Sequence, residues 1–261
     1  MVRQIAAYVA SACLLGFFSN GCRRTTTAGM AGADSSAAAA TAAVPGHRTS
    51  TPVNQRSSAP TDTAGWRPLF DGKTTAGWRG FRQSSVPTGW QVVDSALTRV
   101  GPATDLITTD QFENFELTLE WKISKGGNSG IFYHATEEGQ HVYESGPEMQ
   151  VLDDARHEDG KSRLTAAGSL FALYPSPAGV VHPAETWNQV RILVKGPHVE
   201  QWLNGVKVVE VELWSPDWDR RVKASKFAAW PIFGRAHKGH IGLQDHGNWV
   251  AYRNIRIRVL P

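Results

Sequence analysis

The stretch FELTLEWKI, residues 115–123, alternates without a break. Phe115, Leu117, Leu119, Trp121 and Ile123 fall on one side, and charged or polar residues fall on the other. A period of two is that of a β-strand with one buried face. The same pattern recurs outward from it, in WNQVRILVKG (187–196) and VEQWLNGVKVVEVEL (199–213), where Asn204-Gly205 marks a tight hairpin. The chain closes with HIGLQDHGNWVAYRNIRIRVL (240–260), read as two strands joined through Asp245-His246-Gly247-Asn248. Convincing helical periodicity is absent, although 153–165 has room for a turn of helix. Many short alternating strands punctuated by Gly, Pro and Asn predict an all-β, jelly-roll β-sandwich of two antiparallel sheets.

Next to the first strand lies NSGIFYHATEEGQHVYESGPEMQVLDD (128–154). In IFYH, Ile131 and Tyr133 share one face while Phe132 and His134 share the other. In EMQVLDD, Met149 and Val151 point one way and Glu148, Gln150 and Leu152 the other. A glutamate and a glutamine one pleat apart make either a ligand-facing surface or the solvated face of a half-exposed sheet. A second unusual segment, 214–239, is a long connection carrying Trp214, Trp218 and Trp230 among several cations. Its composition suits a lid over a sugar, because pyranose C–H faces pack on indole; the alternative is that these rings plug one end of the sandwich.

The N-terminus reads as targeting sequence. Arg3 precedes the apolar run IAAYVASACLLGFF, too short for a comfortable membrane span, and small residues then lead to Cys22. This predicts a lipoprotein-type signal peptide over 1–21 with Cys22 lipidated. The only cysteines are Cys13 and Cys22, so no disulfide can staple the folded part. Residues 22–64 are rich in Ala, Thr, Ser, Gly and Pro and lack aromatics, which predicts a disordered tether to a membrane. All ten tryptophans follow Gly65, placing the folded domain at 65–261. The expected location is exported, anchored at a bacterial membrane and facing the periplasm or cell surface. A net charge of +3 without a basic stripe argues against nucleic acid as a partner.

Seven collinear segments carry a resemblance: PLFDGKTTAGWRGF (68–81), GWQVVDSALT (89–98), NSGIFYH (128–134), GPEMQVLDD (146–154), ETWNQVRILVKG (185–196), WLNG (202–205) and GLQDHGNWVAYRNIRIRVL (242–260). Together they resemble the 3-keto-disaccharide hydrolase family, across essentially all of 66–261. The resemblance implies a concanavalin-like jelly roll and an exported enzyme that cleaves glycosides oxidised at carbon 3. A ketone there acidifies the carbon 2 proton. Removing that proton gives an enolate that can expel the glycosidic oxygen, and water then adds to the enone. Such a site needs a base, donors for the enolate oxygen and an acid for the leaving group. Direct two-carboxylate hydrolysis is the competing route. Two places depart from the family's pattern: LTAAGSLFALYPSP (164–177) and His134, where arginine is expected at least as often.

Glu148 and His246 are the leading catalytic candidates, with Asp153 a third at the start of a polar loop. In HIGLQDHG the alternation puts His240, Gln244 and His246 on the face opposite Ile241 and Leu243, with Gln244 and His246 looking into the same cleft as Glu148, while Asp245 caps its own turn. Gln150, Gln244, His134, Tyr133, Lys226, Trp230 and Arg253 are the candidates for holding the sugar. A divalent metal polarising the keto oxygen is a candidate cofactor, with His134, Glu148 and His246 (and Asp153) as ligand types, although no HxH or HExxH spacing fixes a set. The expected partner is a small carbohydrate, and a separate sugar 3-dehydrogenase making the keto-sugar is the enzyme this chemistry invites upstream. The alternative reading is a sugar-binding, lectin-like module without chemistry.

Overall fold

The computed structural model describes residues 64–261. The signal peptide, Cys22 and the tether predicted from the sequence lie outside the described residues. Among the described residues are thirteen strands and one α-helix: β1 (Trp66–Pro68), β2 (Trp78–Gly80), β3 (Trp90–Val93), β4 (Ala96–Arg99), β5 (Leu106–Thr108), β6 (Phe115–Ile123), β7 (Asn128–Ala135), β8 (Glu148–Leu152), β9 (Asn188–Lys195), β10 (His198–Leu203), β11 (Val206–Glu212), α1 (Pro216–Ala224), β12 (His240–Leu243) and β13 (Val250–Val259). They form two antiparallel sheets. The larger runs β11-β10-β9-β6-β13-β4-β3, with β1 added on β13; the smaller runs β2-β5-β12-β7-β8. This is the jelly-roll β-sandwich the alternation predicts.

The core lies between the sheets. From β6, Phe115, Leu117, Leu119, Trp121 and Ile123 are all buried, and Ile131, Tyr133, Met149 and Val151 of the smaller sheet belong to the same apolar cluster. Asn204 and Gly205 both adopt positive φ (49° and 81°), the geometry of the primed turn that matches strand twist. The last two strands part company. β12 joins the smaller sheet and β13 the larger, so 244–249 crosses from one layer to the other. Asp245 fixes that crossing: its Oδ1 accepts from Arg99 Nε (2.7 Å) and the Gly247 amide (3.0 Å), and its Oδ2 accepts from the Ala103 amide (3.1 Å).

The 214–239 segment is not the irregular loop the sequence predicts. Ser215 caps α1, accepting from the Trp218 amide (3.2 Å), with Pro216 and two aspartates in the first turn. Those are standard start signals. Only Trp218 and Val222 are buried along the helix, too narrow a stripe for the period to show. No helix of the described residues is long and apolar enough to cross a membrane.

Candidate active site

The outward face of the smaller sheet can be built from register alone. Ile107 pairs with Gly242, Gly242 with Phe132, and Phe132 with Glu148, giving one row across four strands. Two residues along each strand, Asp105, Gln244, Gly130 and Gln150 make the next row, and Gly130 pairs directly with Gln150. The Gln244 amide continues the ladder onto the Gly130 carbonyl at 3.0 Å. On its other edge β8 borders the irregular segment 168–171. Gln150 N donates to Ser169 O (3.1 Å), Gly168 N to Gln150 O (2.9 Å) and Phe171 N to Glu148 O (3.0 Å). The segment that departs from the family pattern is therefore one wall of this face.

Glycine at 130 is what lets Glu148 lie where it does. A Cβ on Gly130 would sit 2.0 Å from Glu148 Oε1 and 2.7 Å from its Cδ. The carboxyl thus rests over the Gly130 backbone, with Glu148 only 6% exposed. Gln150, with its amide nitrogen turned inward, donates to Ser129 O (2.9 Å) and Glu148 Oε1 (3.3 Å). Burial pushes the Glu148 carboxyl up to about 8; nearby Lys226 opposes the shift, and Asp105 and Asp159 add to it. Asp105 is raised to about 6, again mainly by burial. The Asp245 amide donating to its Oδ1 at 2.8 Å partly offsets this, the Asp245 charge adds to it, and His141 opposes it.

Gln244 is fixed through its backbone. Its carbonyl accepts from Ser129 Oγ at 2.8 Å, and since that uses the serine's proton, Tyr252 Oη must donate to Ser129 Oγ (2.7 Å). The Gln244 Oε1 is buried with no partner among the described residues. Lys226 stands above, its ammonium 4.4 Å from the Phe171 ring centre, 5.2 Å from Phe227 and 6.0 Å from Tyr143. Tyr143 stacks on His141 (5.0 Å, 10°) and meets Trp230 edge-on at 5.4 Å. At the other rim, exposed His246 meets the His157 ring at 6.4 Å, and His157 Nδ1 accepts from the Asp159 amide at 3.1 Å.

Glu148, Gln150, Gln244, Lys226 and Trp230 are thus assembled on one face, with His246 at its edge. Four other candidates lie elsewhere. Tyr133 points into the core, wholly buried, its hydroxyl accepting from Gln201 at 3.4 Å, and burial raises its phenol. His134 has φ 50° beside a β-bulge between β12 and β7, which turns it off the face predicted from alternation. Its Nε2 meets the Glu113 carbonyl (2.8 Å) and its ring lies edge-on to Phe115, and burial lowers its basicity. Asp153 is occupied by its own loop, with Oδ2 accepting from the Gly126 amide (2.7 Å) and Oδ1 from Ala155 (3.3 Å). Arg253 pairs with Glu120 (2.7 Å) and stacks on Trp187 (4.0 Å), on the outer face of the other sheet. Trp218 is fully buried, and Trp214 donates to the Gly234 carbonyl (2.7 Å), so these two plug the sandwich rather than face a ligand.

His134, Glu148 and His246 do not converge as a metal site. Among the described residues the convergent His/Asp/Glu group is His198, Glu200 and Glu210, on the outer face of the larger sheet. Lys207 pairs with both glutamates there and Arg191 with Glu200, so these carboxylates already have cationic partners. Sequence reasoning missed Asp105, His141 and Tyr143. Asp105 shares its face with Ile107, but a three-residue strand is too short to reveal a period.

A β-sandwich with paired carboxyls, amides and a ring-held lysine on one sheet face is built for a polar, ring-shaped ligand and proton transfer. Residues 65–258 match the model of the 3-keto-alpha-glucoside-1,2-lyase-like domain, and the chain belongs to that family. It is 36% identical over 233 residues to a 3-keto-disaccharide hydrolase of Bacteroides thetaiotaomicron, covering 77% of this chain and 80% of that protein. Among solved structures, it resembles two proposed glycosyl hydrolases of Parabacteroides distasonis. One has a TM-score of 0.71 at 35% identity, covering 76% of this chain and 95% of the other. The second has a TM-score of 0.61 at 30% identity, covering 75% and 99%. The protein is a carbohydrate-active, glycoside-cleaving member of its family.

Proposed function

We propose that the protein cleaves 3-keto-glycosides by eliminating the aglycone across carbons 1 and 2 and then adding water. The observation that carries this reading is the Glu148 carboxyl, buried over Gly130 and shifted to about 8, so that it is protonated at neutral pH. A protonated carboxyl is what a departing glycosidic oxygen needs. Lys226, held by ring faces, supplies a cation for the enolate oxygen that forms when carbon 2 is deprotonated. Gln150 and Gln244 offer amides to sugar hydroxyls. The family membership and the name of the Bacteroides relative support the choice of a keto-sugar. His246, exposed at the rim, is the residue proposed to meet the aglycone.

The substrate is a product of oxidation at carbon 3, so a sugar 3-dehydrogenase is the enzyme proposed to act before this one. Export with lipidation at Cys22 would place both reactions outside the cytoplasm.

Glu148→Gln tests the acid role. Against 3-keto-glucosides with sugar leaving groups, release should fall about 10²–10⁴-fold. A nitrophenyl leaving group, which departs without a proton, should restore most of the rate. Equal losses with both leaving groups, or none with either, would sink the assignment, and retained sugar binding without any turnover in the unmodified protein would favour the lectin-like reading.

A further inference from the structure

We propose that Asp105 is the base that takes the carbon 2 proton. The inference deepens the elimination reading and rests on it. Register sets the geometry. Asp105 and Gly130 flank Gln244 in one row of the sheet, two strand spacings apart, or roughly 10 Å between their backbones. The Glu148 carboxyl leans onto Gly130 from the next row. The space between the two acids therefore lies over Gln244, whose Oε1 is buried and unpartnered among the described residues. Carboxyls that work as a pair across a glycosidic bond stand about 5–9.5 Å apart, and a backbone spacing of roughly 10 Å, with Glu148 leaning toward Asp105 over Gly130, is compatible with that range.

Asp105 is held for such a role. The Asp245 amide anchors Oδ1 at 2.8 Å, and no donor among the described residues occupies Oδ2. Of the charged groups facing it, Asp245 raises its pKa and His141 lowers it, while the Asp105 charge in turn raises that of Glu148. With Asp105 near 6 and Glu148 near 8, a neutral solution holds one carboxylate and one carboxylic acid. The cycle then balances. The C2–H bond breaks, its proton goes to Asp105 and its electron pair enters the enolate. The C1–O bond breaks as Glu148 protonates the aglycone oxygen. Water next adds to C1 of the enone, Glu148 recovers a proton from it, and Asp105, whose carboxyl proton exchanges with solvent while the enolate and enone persist, delivers a proton to C2. Both acids end as they began.

Exchange at carbon 2 isolates this step. The protein is incubated with a 3-keto-glucoside in deuterium oxide, and NMR follows the C2–H signal alongside aglycone release. Glu148→Gln should still wash out the C2 proton while releasing a sugar aglycone slowly. Asp105→Asn, which keeps an acceptor for the Asp245 amide, should lose exchange and release together by at least about 10²-fold. Asp105→Ala should regain exchange when formate is added. Wild-type exchange in Asp105→Asn would overturn the assignment. Aglycone release by the unmodified protein with its C2 proton fully retained would instead overturn the elimination itself, and Asp105 with it.

Discussion

Glu148 shows how one backbone choice sets the chemistry of a side chain. Without a Cβ at Gly130 the carboxyl lies down on the sheet and leaves water, and its proton affinity rises to about 8 from an ordinary 4.5. Such a group makes folding depend on pH in the direction opposite to most carboxylates. Between about 4.5 and 8 the folded protein keeps a proton that the unfolded chain has released, so stability falls as pH rises through that window, and the loss is complete above it. Glu148→Gln keeps the shape and removes the titration. Its unfolding temperature should exceed that of the unmodified protein at pH 9 and approach it at pH 4. An unfolding temperature that tracks the unmodified protein at both pH values would mean that the carboxyl is not held protonated by the fold.

At the scale of elements, the segment 214–239 carries Lys226 and Trp230 to the site because its other end is nailed to the core. Trp218 is fully buried, stacked on Phe233 (6.0 Å) and Tyr174 (6.5 Å). The Gly234 amide donates to the Ser145 carbonyl (2.8 Å), just ahead of β8, and the Gly234 carbonyl accepts from Trp214. A Cβ on Gly234 would strike the Trp218 ring at 2.4 Å, so the close fit needs glycine there as well as its positive φ. Trp218→Ala should cost about 3–5 kcal/mol of stability. It should also lower kcat more than it raises KM, because it loosens the lysine assigned to the enolate oxygen without touching the carboxyls. Thermal unfolding and steady-state kinetics on the same preparation check both; a variant with full stability would show that the helix is not anchored by this ring. Ser215-Pro216-Asp217 opens this helix, but two buried positions in nine residues leave no period to read in the sequence.

For the whole molecule, alternation told inside from outside along unbroken strands and could not tell one sheet from the other. Phe115 to Ile123 and the pair Glu148 and Gln150 were legible because a strand's two faces differ in composition. Arg253 sits on an outward face as well, but of the larger sheet, and nothing in its neighbours' polarity distinguishes the two outsides of a sandwich. His134 was misplaced because one bulge reverses parity, and bulges leave little trace in a single sequence. That outer face is occupied by an ion-pair ladder in which Arg258 and Arg191 both hold Glu116, and Arg191 also holds Glu200. Burial works to raise Glu116, but the two guanidiniums outweigh it and keep the carboxyl below its usual range. Arg253→Ala, on this face, should leave kcat/KM unchanged; a large loss would place the sugar on the wrong side of the molecule.

In the proposed reaction the ketone, not the glycoside alone, makes the bond breakable. The most direct measurement compares aglycone release by the purified protein from a 3-keto-glucoside and from the parent glucoside, identical except for the oxidation at carbon 3. Release from the keto-sugar and none from its parent is the predicted result. Cleavage of the parent at a comparable rate would contradict it, since no acidic carbon 2 proton exists there for a base to take.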